Sequence, residues 1–128
     1  MIVAGIGCRK GTAAAEVEAA IAAALLRAGL PADALALIAT STAKGGEPGI
    51  AAAASALGVP LVLVPQGGLE AASDRTATKS ARVAALTGVP SLAEAAALAA
   101  GGPEARLLGP RVAIGPATCA LAETGGTP

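Results

Sequence analysis

Two short stretches carry most of the chemistry this sequence can offer. The first is Gly5-Ile6-Gly7-Cys8-Arg9-Lys10-Gly11-Thr12, where glycines allow close backbone approach and Arg9 and Lys10 add positive charge. Free N–H groups at the start of the following helix attract anions, and Thr12 contributes a hydroxyl. Gly7, Cys8, Arg9, Lys10, Gly11 and Thr12 are therefore candidate ligand-binding residues, with the N–H groups of Gly11 and Thr12 expected to cap an anion. The second stretch is Thr40-Ser41-Thr42-Ala43-Lys44-Gly45-Gly46-Glu47-Pro48-Gly49. Its Ser41, Thr42 and Lys44 could bind carboxylates. Glu47 is the candidate for proton transfer, because the chain has no histidine to compete for that job. A blander assignment stands beside it, with Glu47 capping a helix and Lys44 a solvated loop charge.

Neither stretch fits a nucleotide motif. A phosphate-binding loop ends in Gly-Lys-Ser/Thr, whereas the order here is Lys10-Gly11-Thr12. The dinucleotide fingerprint calls for an acid after the second strand, where this chain has Thr40-Ser41-Thr42. Cys8 would be activated at a helix N-terminus, yet without a histidine base it reads equally as a small residue packed in a turn. Ser73 to Lys79 reads as a polar loop, a lid or a solvated connection, and Arg75 and Lys79 in it are further candidate cations. Ser91-Leu92-Ala93-Glu94 is a capping-box signature, which explains Glu94 without a ligand.

Composition removes whole classes of function. The 128 residues contain no Phe, Tyr, Trp or His. Base-stacking nucleic-acid modules need aromatic platforms, and His-based metal sites and Ser-His-Asp or Cys-His catalysis are impossible within the chain. Nine basic residues balance nine acidic ones, so no general attraction to nucleic acid or an anionic membrane is expected. The mean hydropathy of +0.67 derives mostly from alanine. No stretch of about eighteen residues is free of Gly, Pro and charge, which argues against a membrane span. Met1-Ile2-Val3-Ala4-Gly5 has no basic lead-in and reads as a strand rather than a signal peptide. Cys8 and Cys119 have no metal-ligand spacing and are expected to be two thiols in a reducing cytoplasm.

The elements that must position these residues alternate in strand–helix order, which predicts an α/β domain. Met1 to Gly7 is a first strand. Thr12 is the expected cap of a helix through Arg27, with Val17, Ile21 and Leu25 at helical spacing and Gly29 as the stop. Ala34 to Thr40 is a second strand, and Pro48 opens a second helix ending at Gly58. Leu61 to Val64 is apolar throughout and is expected to be buried on both faces. Gly67-Gly68 is expected to break the chain. A short helix from about Ser80 to Leu86 and another from Leu92 to Ala100 follow. Ala105 to Leu108 and Ala117 to Ala122 are β candidates, and residues 123–128 a frayed tail after a domain spanning residues 1–122.

Four segments taken in order resemble a known family. They are Gly5-Ile6-Gly7-Cys8-Arg9-Lys10-Gly11-Thr12, then Lys44 with Glu47-Pro48-Gly49, then Gly88-Val89-Pro90-Ser91-Leu92-Ala93-Glu94-Ala95-Ala96-Ala97-Leu98, and finally Ala117-Thr118-Cys119-Ala120-Leu121-Ala122. The sequence is similar to the cobalamin-biosynthesis CobE proteins and to the C-terminal domain of CbiG, a cobalt-precorrin-5A hydrolase. That resemblance implies a three-layer α/β/α fold with a mixed sheet of about five strands. It implies a cytoplasmic protein that binds or hands on a corrin-ring (precorrin) intermediate, with other cobalamin-pathway enzymes as partners and no cofactor or metal of its own. The basic residue usual in the family's C-terminal hairpin would be Arg111. Two alternatives stay open: a CbiG-like lactone hydrolase releasing acetaldehyde, with Glu47 as its catalytic group, and a nucleotide-binding α/β fragment. Corrin intermediates carry several carboxylates around a flat apolar ring, which suits cationic glycine-rich loops over an aliphatic floor.

Overall fold

Strand β1 (Ile2–Cys8) is built from small and branched aliphatic residues, and this composition lets both of its faces be covered. Ile2, Ala4 and Ile6 enter one core, and Val3 enters the other. The computed structural model describes residues 1–44, 47–76 and 91–124, without the Lys44 side chain. β1 pairs in parallel with β2 (Leu35–Ser41), which pairs in parallel with β3 (Leu61–Val64). On its other side β1 runs antiparallel to β6 (Ala117–Glu123), in a register that sets Gly5 opposite Ala120 and Cys8 opposite Ala117. β4 (Arg106–Leu107) and β5 (Val112–Ile114) both lie antiparallel to β6. The order is β3-β2-β1-β6-β4, with β5 beside β6.

The sheet is mixed, as expected, and has six strands among the described residues, its far edge being interrupted. Gly109 and Pro110 fall between β4 and β5. Proline has no N–H for a ladder and confines itself to such edges and breaks. β5 was not among the strands expected from the sequence.

Helices cover both faces. α1 (Ala14–Ala28) and α2 (Pro48–Leu57) pack Val17, Ile21, Leu25, Ile50 and Ala53 against Ile2, Ala4, Ile6 and Ile38. α3 (Gln66–Ala72) and α4 (Leu92–Gly101) pack Leu69, Ala96 and Leu98 against Val3, Ala39 and Val64. Seven consecutive α4 residues, Leu92 to Leu98, are buried. Their alanines let the helix lie so close to β1 that a Cβ on Gly5 would stand 2.6 Å from Ala97 N and 2.9 Å from Ala97 Cβ. Alanine fills the space that aromatic side chains would fill in a thicker core.

Three expectations need correction. Among the described strands β3 lies at the edge, where the parallel ladder ends, with Leu63 44 % exposed. Gly67 and Gly68 do not break the chain but lie in the first turn of α3, which starts after Pro65. Glycine costs least at a helix end, where the backbone is only partly committed. Thr12 does not cap α1; the helix starts after Ala13, whose N–H donates to Glu16 Oε1 at 3.3 Å. The helix expected from about Ser80 to Leu86 lies outside the described residues, as do Thr78, Lys79 and Gly88-Val89-Pro90. Glu123 continues β6 and Thr124 N donates to Met1 O at 3.0 Å; residues 125–128 lie outside the described residues. Among the described residues no helix is long and apolar enough to cross a membrane.

Candidate functional site

At the carboxyl end of β1 the ladder to β6 continues for one more bond, from Arg9 N to Pro116 O at 3.1 Å. The chain then reverses in a tight turn. Thr12 N donates to Arg9 O at 3.2 Å, and Thr12 Oγ1 donates to the same oxygen at 2.6 Å. Gly11 occupies the third turn position with φ of 80°, the left-handed value that a type II turn demands there. This closed turn of four residues differs from the longer loop that cradles phosphate. Arg9 and Lys10 are exposed on it, and neither side chain has a hydrogen-bond or ion-pair partner among the described residues.

The second loop arrives beside this turn because β2 is the parallel neighbour of β1. Buried Thr40 ties the two strand ends together, its Oγ1 donating to Ile6 O at 2.7 Å. Ser41 is buried, Thr42 exposed, and Thr42–Lys44 form a single turn of 3-10 helix. The Lys44 side chain and Gly45-Gly46 lie outside the described residues. Glu47 holds the N-cap position of α2 but its side chain caps nothing there. Instead its Oε2 accepts the Gly11 N–H at 3.0 Å, across 36 residues of sequence. Gly49, one turn into α2, presses against the other loop: a Cβ there would overlap Thr12 O and stand 3.1 Å from Thr12 C. The structure thus brings residues 7–12 to one edge of the sheet with residues 41–44 and 47–49. The N–H groups of Gly11 and Thr12, expected to be open to an anion, each already have an acceptor within the chain.

The N-terminus of α4 reaches the same edge. A Cβ on Gly7 would lie 3.7 Å from Leu92 Cβ and 3.8 Å from Ala93 N. Ser91 Oγ accepts the Glu94 N–H at 3.4 Å, as the capping signature predicts. The Glu94 carboxylate does something the signature does not show. It is fully buried and its Oε2 accepts the Arg111 N–H at 2.9 Å, pinning the start of β5 to α4. Half-buried Arg111 is therefore held to α4 through its backbone.

Other candidates fall elsewhere. Arg75 is a clamp on the C-terminus of α4. Its guanidinium donates to the carbonyls of Ala105 at 3.0 Å, Pro103 at 3.3 Å, Gly102 at 3.4 Å and Leu98 at 3.5 Å. A cation at a helix C-terminus satisfies carbonyls the helix leaves unpaired. Cys8 is half-buried at the end of β1, and Cys119 is buried on β6. Burial away from water pushes the Cys119 thiol up to about 12. Among the described residues no three His, Cys, Asp or Glu cluster in a way that could hold a metal ion. A groove of about 230 Å³ lies between the end of α1 and the interrupted edge, lined by Arg27, Leu108, Val112, Cys119 and Leu121 among others. It sits at the opposite end of α1 from Gly11, so the polar loops and the groove are separate places. The loops carry the charge and the hydrogen-bonding groups, and they are the better candidate.

Comparison with known proteins places this geometry in context. The family described as Cobalamin synthesis G C-terminus matches residues 2–122. Protein CobE from Sinorhizobium sp is 40 % identical over 121 residues, covering 94 % of this chain and 79 % of that relative. The crystal structure of CobE, a protein from the cobalamin (vitamin B12) biosynthetic pathway, superimposes with a TM-score of 0.89 at 35 % identity, covering 95 % of this chain and 89 % of that one. The crystal structure of cobalamin biosynthesis protein ChiG from Agrobacterium tumefaciens str. C58 gives a TM-score of 0.78 at 42 % identity, covering 98 % and 99 % respectively.

Proposed function

Because the chain belongs to the Cobalamin synthesis G C-terminus family and is thereby a protein of cobalamin biosynthesis, we propose that it binds a corrin-ring intermediate and hands it on. The ligand sits at the edge where the Arg9–Thr12 turn meets Glu47. One observation carries this reading: two strand-end loops meet there with the Arg9 and Lys10 side chains exposed and unpaired among the described residues. A corrin precursor presents carboxylates on flexible arms around its ring, and each arm can reach a separate donor. Arg9 and Lys10 take carboxylates, with Lys44 as a third cation, while Ser41 and Thr42 add hydroxyls. Other enzymes of the pathway, supplying and receiving the intermediate in the cytoplasm, are the partners this reading implies.

The chain contributes almost nothing near the tetrapyrrole bands, so an absorbance titration with a precorrin intermediate reads binding directly. Replacing Arg9 by Ala removes one charge-assisted hydrogen bond and should weaken binding about tenfold. Unchanged affinity in both Arg9→Ala and Lys10→Ala would remove the assignment of this edge. Acetaldehyde released with steady turnover from the lactone intermediate would establish the hydrolase instead.

A further inference from the structure

We propose that the Glu47 carboxylate holds the place of a ligand carboxylate at the Gly11 N–H, and that a polycarboxylate ligand binds by displacing it. The inference rests on the reading of this edge as the ligand site and adds how the site is kept when empty. Glu47 stands at the N-cap of α2, yet its side chain makes no cap there and reaches Gly11 at 3.0 Å instead. The turn forces that N–H outward: with Gly11 at φ of 80° the Lys10–Gly11 peptide is flipped relative to an ordinary turn, and its donor points away from the turn's own hydrogen bonds. The donor thus already selects a carboxylate, and the one present is the chain's own.

Three features make exchange easy. The contact is exposed, so opening it uncovers no core. The loops do not depend on it for their approach, because Gly49 packs its Cα directly on the Thr12 backbone. The side chains of Arg9 and Lys10, in the same turn, are unpaired among the described residues, so a ligand bearing several carboxylates gains cations while replacing the bond that Glu47 gives up. The movement is a rotation of one side chain, with no proton transferred. Glu47 then acts as a competitor that lowers the apparent affinity by the fraction of molecules in which it is seated.

The test compares wild type with Glu47→Ala and Glu47→Gln, using uroporphyrin III as the tetrapyrrole probe and tricarballylate as a small polycarboxylate. Glu47→Ala should bind uroporphyrin about three- to tenfold more tightly than wild type. In ¹⁵N-labelled protein the Gly11 amide proton should move upfield on Glu47→Ala, having lost its charged acceptor. Adding tricarballylate should return it downfield. Equal or weaker uroporphyrin binding by Glu47→Ala, or a Gly11 amide that tricarballylate leaves upfield, overturns the inference. Where the alanine variant does not fold, Glu47→Gln serves, its weaker amide acceptor giving a smaller change in the same directions. Failure of uroporphyrin to bind any form, with tricarballylate still restoring the amide, would retire the corrin reading and keep the exchange.

Discussion

Gly49 and Gly67 stand at the same position in two helices, the second residue of α2 and of α3. Replacing either by alanine changes helix propensity alike, so their difference isolates what the new methyl meets. At Gly67 it meets nothing within 4 Å, and the backbone is helical. Gly67→Ala should therefore stabilise by about 0.4–1 kcal/mol, chiefly by restricting the unfolded chain. At Gly49 the methyl meets backbone only: it overlaps Thr12 O and stands 3.1 Å from Thr12 C and 3.2 Å from Ala13 C. No side chain can rotate away, so α2 must withdraw by on the order of 1 Å to restore van der Waals contact. That movement stretches the Gly11–Glu47 bond from 3.0 Å beyond useful length. Overpacking costs about 1–3 kcal/mol and the lost exposed bond about 1 kcal/mol more, which outweighs the propensity gain. Gly49→Ala should lower stability by roughly 1.5–3 kcal/mol, or about 5–12 °C in Tm. Urea and thermal unfolding followed by far-ultraviolet circular dichroism measure both variants, since the chain has no tryptophan to report by fluorescence. Equal shifts for the two substitutions would refute the argument that the loops are in backbone contact.

Removing the Arg75 clamp should cost about 1–2 kcal/mol in urea unfolding. Arg75→Lys should recover little of it, because a point charge cannot reach several carbonyls as a planar fork does. Cys119 should resist a thiol reagent in the native protein and react only on unfolding. Its folded pKa, about 12, lies above the ordinary thiol value of 9.0, so its contribution to stability is complete below pH 9 and declines as pH rises from 9 towards 12. The decline should approach about 1.4 kcal/mol per pH unit in that window, and Cys119→Ala should abolish this component of the alkaline loss.

The elements legible in the sequence are those with local punctuation. Gly29 and Gly58 end α1 and α2, Pro48 opens α2, and Ser91 caps α4, each through chemistry within a few residues. What escaped is set by partners far along the chain. An apolar run such as Leu61 to Val64 reads the same at the edge of a sheet as in its middle. Val112 to Ile114 is three residues between Gly-Pro pairs, and its pairing with β6 makes it a strand. The strand–helix order foretold that the loops after β1 and β2 would share an edge. It did not foretell that Glu47 would turn to Gly11, because nothing near Glu47 marks the donor. Arg75 read as a loop cation because the carbonyls it holds lie 23 to 30 residues downstream. Glu94 satisfied a local cap signature, which hid its burial against Arg111.

The pairing of β1 with β6 also bears on how the chain comes to fold. Among the described strands the earliest in chain order is the central one of the sheet, and one of its two neighbours is the latest. β1, β2 and β3 can associate early through α1 and α2, but one flank of β1 stays bare until residues 117–123 emerge. Closing that long loop carries an entropy cost that later contacts repay, the arrangement associated with slow folding. During synthesis the exposed flank is a row of unpaired backbone groups on an aliphatic strand, open to pairing with another nascent chain. Production of this protein should therefore be more sensitive to truncation within β6 than to any change of similar size in the α1–α2 layer.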